Sequence, residues 1–574
     1  MSGRKFFGRA LVILAPVFYL LFACQKKQGC GMIDKFSNRT CHMATEHSQT
    51  KDIARSAGTV GIAVFASRIL GLVREQVFAA FFGAGFAFDA FVVAFRIPNL
   101  LRDLFAEGAL SSAFVVVFTD YRTKKGQEET WRLASKVITA AAVIVGALAL
   151  VGMLCSGMIV RLMSPDFANV TGKIELTTLM TRIMFPFLLL VCLASICMGM
   201  LNSLGKFFIP AISSSFFNLG SIVTGVLLSF CMPWVGLHPI VGMAAGVLAG
   251  GFLQFLVQTP SLKQAGFRFR VLFDFTDPGL VRIGKLMLPA IVGLAAVEMN
   301  IFINTFFAAS CAEGSVSWLN YAFRIMMFPI GLVGVSLSIA TMPVVSRHAA
   351  SGDIQGLRQA YVSATVLSLV FSLPATVGLI VLAEPIIRVI YQHGRFTPAD
   401  TVQTAGALAL YAVGLFAYAA QKIVVPVFYS LNKARYPVIA SFISLTLNIC
   451  LVTVFLKYFQ HRTIALSTSV CMLGNFLFLS CMLYRQVQGY DVCHILRSFA
   501  KILPAALVMG LAAYGLNHYC AHAFGPGLPA AIGALFTTIA GSGLLYAVLI
   551  SIAEIQELDP LRHKILDRFF KKNL

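Results

Sequence analysis

"FRIPNLLRDLFAEGAL", residues 95–110, sets four charges inside an oily segment. It lies in an apolar segment long enough to cross a bilayer, yet it carries Arg96, Arg102, Asp103 and Glu107. A charge at the centre of a lipid-exposed helix costs about 2.5–3.5 kcal/mol on insertion scales. Four facing lipid would cost on the order of 10 kcal/mol, against a typical folding stability of about 5–15 kcal/mol. These side chains must face protein or water, so the segment belongs to a helical bundle with a polar interior.

The whole chain agrees. It has 574 residues, 58% hydrophobic and only 12% charged, where a soluble protein carries about 25% charged residues. Apolar runs of roughly 18–30 residues recur along it, and the alternating pattern of a membrane β-barrel is absent. The expected fold is an all-α polytopic membrane protein with about fourteen spans. They lie near 56–81, 86–118, 132–163, 174–203, 209–230, 239–262, 279–308, 316–345, 359–391, 400–430, 437–458, 463–485, 497–519 and 527–553.

The net charge of +21 is topological. Lys and Arg gather in alternate loops: Arg122, Lys124, Lys125 and Arg132; Lys263, Arg268, Arg270, Arg282 and Lys285; Arg485, Arg497 and Lys501. The tail adds Arg562, Lys564, Arg568, Lys571 and Lys572. Roughly 25 basic residues on one side against about 6 on the other mark the first as cytoplasmic. Both ends of the bundle then face the cytoplasm, and no nucleic-acid partner is expected. The thirteen cysteines form no CxxC pair, so neither a metal site nor a disulfide framework is expected. "MSGRKFFGRALVILAPVFYLLFAC" has the basic start and short apolar core of a secretory leader. Met43 stands just before the first span, so residues 1–50 are read as an extension, leader-like or a misassigned start.

The chain also repeats itself. "AFRI" at 94–97 recurs at 322–325, and "SLGKFFIP" at 203–210 is echoed by "SLNKARYP" at 430–437, at nearly one offset. Six spans fit in that offset, an even number, so both copies enter the membrane in the same sense, as in transporters built from parallel repeats. The expected organisation is a lobe over 51–263, a basic linker over 264–278 and a second lobe over 279–486. An extra helix pair over 487–553 and a basic tail over 554–574 complete it. The lobe interface is the natural place for a cavity.

At about 100° per residue, Arg96, Asp103 and Glu107 share one stripe while Arg102 points elsewhere, unless Pro98 shifts the phase. In "SRILGLVREQ" Arg68 and Glu75 share a face and Arg74 is displaced. Asp89, in "FAFDAF", is expected either at the edge of the cavity or solvated at the interface. In "SWLNYAFRIMMFPIG" Arg324 is the repeat partner of Arg96, with no carboxylate near it in sequence. One reading makes every charge a structural ion pair. The other leaves arginines free for an anion, because arginine outnumbers acid and its planar fork suits phosphate oxygens. A cavity lined by Arg74, Arg102 and Arg324 would suit a phosphorylated or pyrophosphorylated molecule. Glu298, the lone acid of the seventh span, is expected either to pair with a cavity arginine or to couple transport to a cation or proton.

Those residues carry a resemblance. "SRILGLVRE", "FGAGFAFDAFVVAFRIPNLLRDLFAEGALSSAFV", "GSVSWLNYAFRIMMFPIGLVGVSLS" and "YQHGRFTPAD" closely resemble the MurJ (MviN) lipid II flippases. These belong to the multidrug/oligosaccharidyl-lipid/polysaccharide exporter superfamily. The resemblance runs from about residue 52 to the last span. It implies a transporter, not an enzyme, of the bacterial cytoplasmic (inner) membrane. Such a transporter moves the undecaprenyl-pyrophosphate-linked peptidoglycan precursor from the inner to the outer leaflet for cell wall synthesis. It implies that Arg74, Arg102 and Arg324 hold the pyrophosphate, that Arg68, Asp89 and Glu107 matter for function, and that the last two helices form a groove for the lipid tail. It implies no cofactor; coupling would come from the membrane potential or a cation. Its partners would be the lipid-linked precursor, membrane lipids and other wall-synthesis proteins. Two departures stand out: Asp103 replaces a residue that is basic in many relatives, and Phe323 and Met327 stand where many carry acids.

The rivals are an exporter of another polyprenyl-linked glycan, a drug antiporter, a membrane-embedded cell-wall enzyme and a scaffold. A drug antiporter would want acidic cavity residues, an enzyme a His/Asp or metal constellation, and a scaffold no buried arginines.

Overall fold

A computed structural model describes residues 40–559, with side chains from Thr59 onward except at 106–109 and at a few positions of the seventh helix. The leader-like start and the last fifteen residues of the basic tail lie outside the described residues, as does the side chain of Glu107. Every regular element among the described residues is a helix. We label its helices α1 (Thr40–Phe82), α2 (86–124), α3 (126–163), α4 (Lys173–Ser203), α5 (Phe208–Val235), α6 (Ile240–Gln264) and α7 (Pro278–Ala309). There follow α8 (Ser315–Ser351), α9 (354–391), α10 (398–430), α11 (Arg435–Phe459), α12 (His461–Gln486), α13 (Val492–Phe524) and α14 (Leu528–Ile552).

Ten of these helices are long and apolar enough to cross a membrane, and α10, bent by 44°, makes an eleventh. The other three, α1, α2 and α7, are described only in part; they carry Arg68, Arg74, Glu75, Arg96, Arg102, Asp103 and Glu298. The protein is a multi-pass membrane protein.

The repeat is written in the breaks of the backbone as well as in the sequence. An offset of 228 carries Gly126–Leu154 and Ser156–Met163 onto Ile354–Val381 and Ala383–Tyr391 almost residue for residue. It also carries a break in α2 onto one in α8. In α2 the helix widens to a π-turn over Arg102–Leu110, and in α8 over Ile330–Gly334. Each widening follows a proline, Pro98 or Pro329, whose missing N–H leaves the preceding turn without a donor. Sequence phase at 100° per residue therefore fails beyond Arg102.

In the first half α5 and α6 pack backbone to backbone. A Cβ on Gly246 would lie 2.6 Å from the Cα of Gly225, and one on Gly242 2.3 Å from the Ser229 nitrogen. Small residues at four-residue spacing give van der Waals contact where lipid supplies no hydrophobic drive. The helix α7 ties the halves together. Its start is capped by Asp277, which accepts from Gly279 N–H at 2.8 Å and takes the Lys136 ammonium of α3 at 2.7 Å. Asp274 grips the same ammonium at 2.8 Å, and Arg282 reaches Asp120 of α2 at 2.6 Å. Its far end enters an amide lattice in the second half: Asn304 donates to Thr468 at 3.3 Å and accepts from Asn448 at 2.7 Å. The linker backbone is strapped to α3, with Arg270 and Leu272 N–H on the hydroxyls of Ser135 and Thr139.

Candidate functional site

Helices α2 and α8 meet at their N-terminal ends, opposite the linker. Asp89, in the first turn of α2, is 1% exposed. Its carboxylate accepts from Gly314 N–H at 2.8 Å, Ser317 N–H at 2.9 Å and the Ser317 hydroxyl at 2.5 Å, and it pairs with Lys173 at 3.2 Å. It thus caps a helix that has no acceptor of its own, where the helix dipole favours an anion. Glu313 returns the favour, accepting from Phe86 N–H at 2.9 Å at the start of α2. Asp89 and Ser317 are 228 positions apart, the repeat offset itself, so equivalent residues touch and the pseudo-twofold axis runs between them. The solvated place expected for Asp89 does not hold: it is buried in a joint next to Phe88 of the chamber lining, because the exposed N–H groups of α8 need a partner.

The same end is sealed by α1. Ala80 carbonyl accepts from Arg395 N–H at 3.0 Å, and Gly83 and Gly394 take positive φ where a Cβ would strike the facing backbone. Beneath lies an aromatic layer. Phe88 stacks on Tyr321 with centroids 4.7 Å apart, Tyr321 meets Tyr391 at 4.7 Å, and Phe78 meets Phe91 at 4.5 Å.

Under that layer is a chamber of about 40 Å³ lined by Arg74, Glu75, Arg96, Asn99, Asn320 and Arg324 beside the phenylalanines of α1 and α2. Glu75 Oε1 lies 3.0 Å from Arg74 Nη2 and 3.5 Å from Arg324 Nε. The carboxylate that Arg324 lacks in its own neighbourhood comes from α1. Arg74 also lies over the ring of Phe217 at 5.5 Å. The Nε atoms of Arg74 and Arg96 are buried with no hydrogen-bond partner. Three guanidiniums thus face one carboxylate, an arrangement that holds surplus positive charge.

The chamber does not include all the expected residues. Arg102 grips Asp103 through Nε at 3.0 Å and Nη2 at 2.7 Å, and Asn99 donates to the same carboxylate at 3.1 Å. It sits about 9 Å along α2 from Arg96, toward the linker end. The expected grouping of Arg68 with Glu75 also fails. Arg74 and Glu75 share the chamber, whereas Arg68 is exposed and its guanidinium lies against Gly331, in the π-turn of α8. Glu298 is buried within electrostatic reach of Asp103, Arg96 and Arg102 but makes no ion pair among the described residues. Among the described residues no group of histidine, cysteine and acidic side chains is placed to hold a metal ion.

Sequence reasoning missed the Asp89 joint, although "GSVS" at 314–317 signals it. A glycine followed by serines opens a helix without an acidic cap, and the repeat offset points back to Asp89. It also missed Tyr391, whose buried hydroxyl has no partner.

The comparisons with known proteins converge. The family model described as "Lipid II flippase MurJ" matches residues 78–535. A probable lipid II flippase MurJ of Buchnera aphidicola subsp. Acyrthosiphon pisum is 37% identical over 75% of this chain and 83% of its own. Another, from Vibrio cholerae, is 34% identical over 81% and 89%. Among solved structures, a lipid II flippase MurJ in an inward closed conformation superposes with a TM-score of 0.72 at 29% identity, covering 86% of this chain and 98% of that one. A multidrug transporter of the MATE family, inward-facing, shares the fold at 13% identity with a TM-score of 0.64.

Proposed function

The chain belongs to the MurJ lipid II flippase family, and from that premise we propose that it carries lipid II across the bacterial cytoplasmic membrane with the pyrophosphate held in the arginine chamber. The observation that carries this reading is the chamber's charge: Arg74, Arg96 and Arg324 against Glu75 alone. It is a transporter, and no bond is made or broken.

The basic linker end faces the cytoplasm by the placement of Lys and Arg, so the Asp89 joint seals the outer face. A volume of about 40 Å³ holds one or two waters. A sugar–peptide head group needs a wider opening than this, although Arg324 is already half-exposed. On a path from the linker side the pyrophosphate meets Arg102 first, displacing Asp103, then Arg74 and Arg324, displacing Glu75. Charge-assisted forks of this kind suit a diphosphate that keeps two negative charges at working pH. Rocking then breaks the Asp89 joint and opens the chamber outward, and Arg68, lodged at the π-turn of α8, moves with that step. A bound head group shifts the two states only through unequal contacts with them. Glu75, freed from the arginines, supplies that inequality when it returns to them and expels the anion. Glu298, close to Asp103 and two arginines, is the carboxylate best placed to sense a coupling cation or the membrane potential. The apolar faces of α13 and α14 fit the polyprenyl tail.

The test is replacement in cells depleted of their own flippase, with an assay for lipid II exposed on the outer leaflet. The wild-type chain restores growth and exposure. Arg74→Ala and Arg324→Ala insert but export roughly 10–100-fold less. Export of a different lipid-linked glycan, or normal export by both variants, overturns the assignment.

A further inference from the structure

A second built groove lies on the outer flank of the first half, away from the chamber. The end of α3 and the beginning of α4 frame an opening of about 590 Å³ lined by Gly157, Met158, Arg161, Glu175, Thr178 and Arg182 among others. The two helices are close here, because a Cβ on Gly157 would lie 3.7 Å from the Thr178 methyl. Around it the surface is one that water would not tolerate: Leu154, Met158 and Leu162 are each about 70% exposed, at the spacing of one face of α3. In a membrane-spanning protein that face meets acyl chains.

Two arginines open onto that apolar face. Arg182 is exposed nine residues into α4, roughly 13 Å from the helix start at 1.5 Å per residue. Its Nε donates to the Ser156 hydroxyl at 2.9 Å, which fixes the guanidinium and leaves its terminal nitrogens toward the groove. Arg161 is exposed in the last turn of α3 and makes no hydrogen bond or ion pair among the described residues. The Thr178 hydroxyl is shielded from solvent and likewise without a partner. A guanidinium at hydrocarbon depth on a lipid-facing surface is costly unless an anion meets it. The bilayer offers one such anion at that boundary, the phosphodiester of a phospholipid. Glu175 stands in the same groove, also exposed, a carboxylate beside two arginines.

We propose that this groove is a phospholipid site, with the lipid phosphate between Arg161 and Arg182 and the ammonium of an ethanolamine head group at Glu175. The acyl chains lie on the Leu154–Met158–Leu162 face. The charge set carries the choice of lipid: two cations and one anion match a zwitterion's phosphate and amine, whereas the glycerol head of phosphatidylglycerol leaves Glu175 facing a lone negative charge. The lipid source follows from the apolar surround, which a free phosphate would not use. Nothing in the proposal depends on what the central chamber transports.

The test is native mass spectrometry of the full-length protein, released from vesicles of equal phosphatidylethanolamine and phosphatidylglycerol. The wild type retains phosphatidylethanolamine several-fold over phosphatidylglycerol, and millimolar inorganic phosphate does not displace it. Arg161→Gln with Arg182→Gln loses the retained lipid while keeping the wild-type melting temperature. Arg161→Lys with Arg182→Lys, a fold control, keeps it. Glu175→Gln reverses the preference toward phosphatidylglycerol. Equal lipid retention by wild type and the double glutamine variant overturns the site. Displacement by inorganic phosphate overturns the lipid as its occupant, and a preference unmoved by Glu175→Gln overturns the ethanolamine assignment.

Discussion

Helices α2 and α8 stand in equivalent places and break at equivalent residues, yet they hold their arginines by opposite means. On α2, Arg102 finds a carboxylate one residue along the chain and grips it with two nitrogens at 2.7 and 3.0 Å. On α8, Arg324 has no acid on its own helix and shares Glu75 of α1 with Arg74, at 3.5 Å. Duplication fixed the backbone, π-turn included, and left the charges to diverge. A dedicated ion pair costs an incoming anion the whole contact it must displace, whereas a shared one is already under-satisfied. If the chamber takes a diphosphate as proposed, α8 is the side on which it gains most.

The largest effect expected from this contrast is at the joint between the same two helices. Asp89→Ala strands Lys173 and three donors in a buried place, and removing one partner of a buried pair costs about 3–5 kcal/mol. The melting temperature of the solubilised protein should fall by many degrees. The repeat-equivalent change, Ser317→Ala, removes one hydroxyl bond of the same cluster and should cost only about 1 kcal/mol. Equal losses from the two would mean that the joint is symmetric after all.

Next in size are the arginines. Hydrogen bonds to charged groups are worth about 1.5–3 kcal/mol, or roughly 10–100-fold in affinity. Arg324→Ala should reduce lipid II export by that order, and Arg102→Ala by less, since it also releases Asp103. Export rates in proteoliposomes decide it. Glu75→Gln sharpens the point: with both arginines relieved of their carboxylate, bound lipid II should rise while turnover falls. A fall in both would show that Glu75 only holds the helices together.

The membrane-spanning helices and the repeat offset were legible in the sequence because they rest on hydrophobic length and on identity between segments. The grouping of the charges was not. Helical phase put Arg68 with Glu75 and separated Arg102 from Asp103, and the structure does the reverse in both cases. A long guanidinium spans the 100° between neighbours, and the π-turn beginning at Arg102 changes the phase. Asp89 escaped for another reason: its partners Lys173, Gly314 and Ser317 lie 84 to 228 residues away, on α4 and at the start of α8. No local pattern records such contacts, only the repeat offset.

A smaller contrast sits at the linker. The Lys136 hydrogen bond, helped by Thr276, holds the Asp274 carboxyl below the usual carboxylate range. A carboxylate with a lowered folded pKa contributes above its unfolded value, about 3.9, and stops contributing as the pH falls through the lower folded one. Hydrogen exchange of residues 266–277 should therefore be flat from neutral pH to about 4 after correction for intrinsic rates, and rise below it. Lys136→Met should raise it at neutral pH to the level the wild type reaches in acid, and remove the step.

The smallest effect expected is at Gly331, in the π-turn of α8. A Cβ there would lie 1.9 Å from Arg68 Nη1, so Gly331→Ala forces the guanidinium aside. Because the obstacle is the free end of an exposed side chain and not backbone, the fold should lose well under 1 kcal/mol, within the usual range for a surface change. The equivalent place in α2 is Asp103, where the π-turn carries a charge of its own in place of a notch for another helix. If Arg68 moves with the opening of the lobes, Gly331→Ala should change the export rate a few-fold at an unaltered melting temperature, and Arg68→Ala in the same background should add nothing further. Additive losses would place Arg68 in contact with something other than that notch, and would restore the symmetry that the two helices otherwise lack.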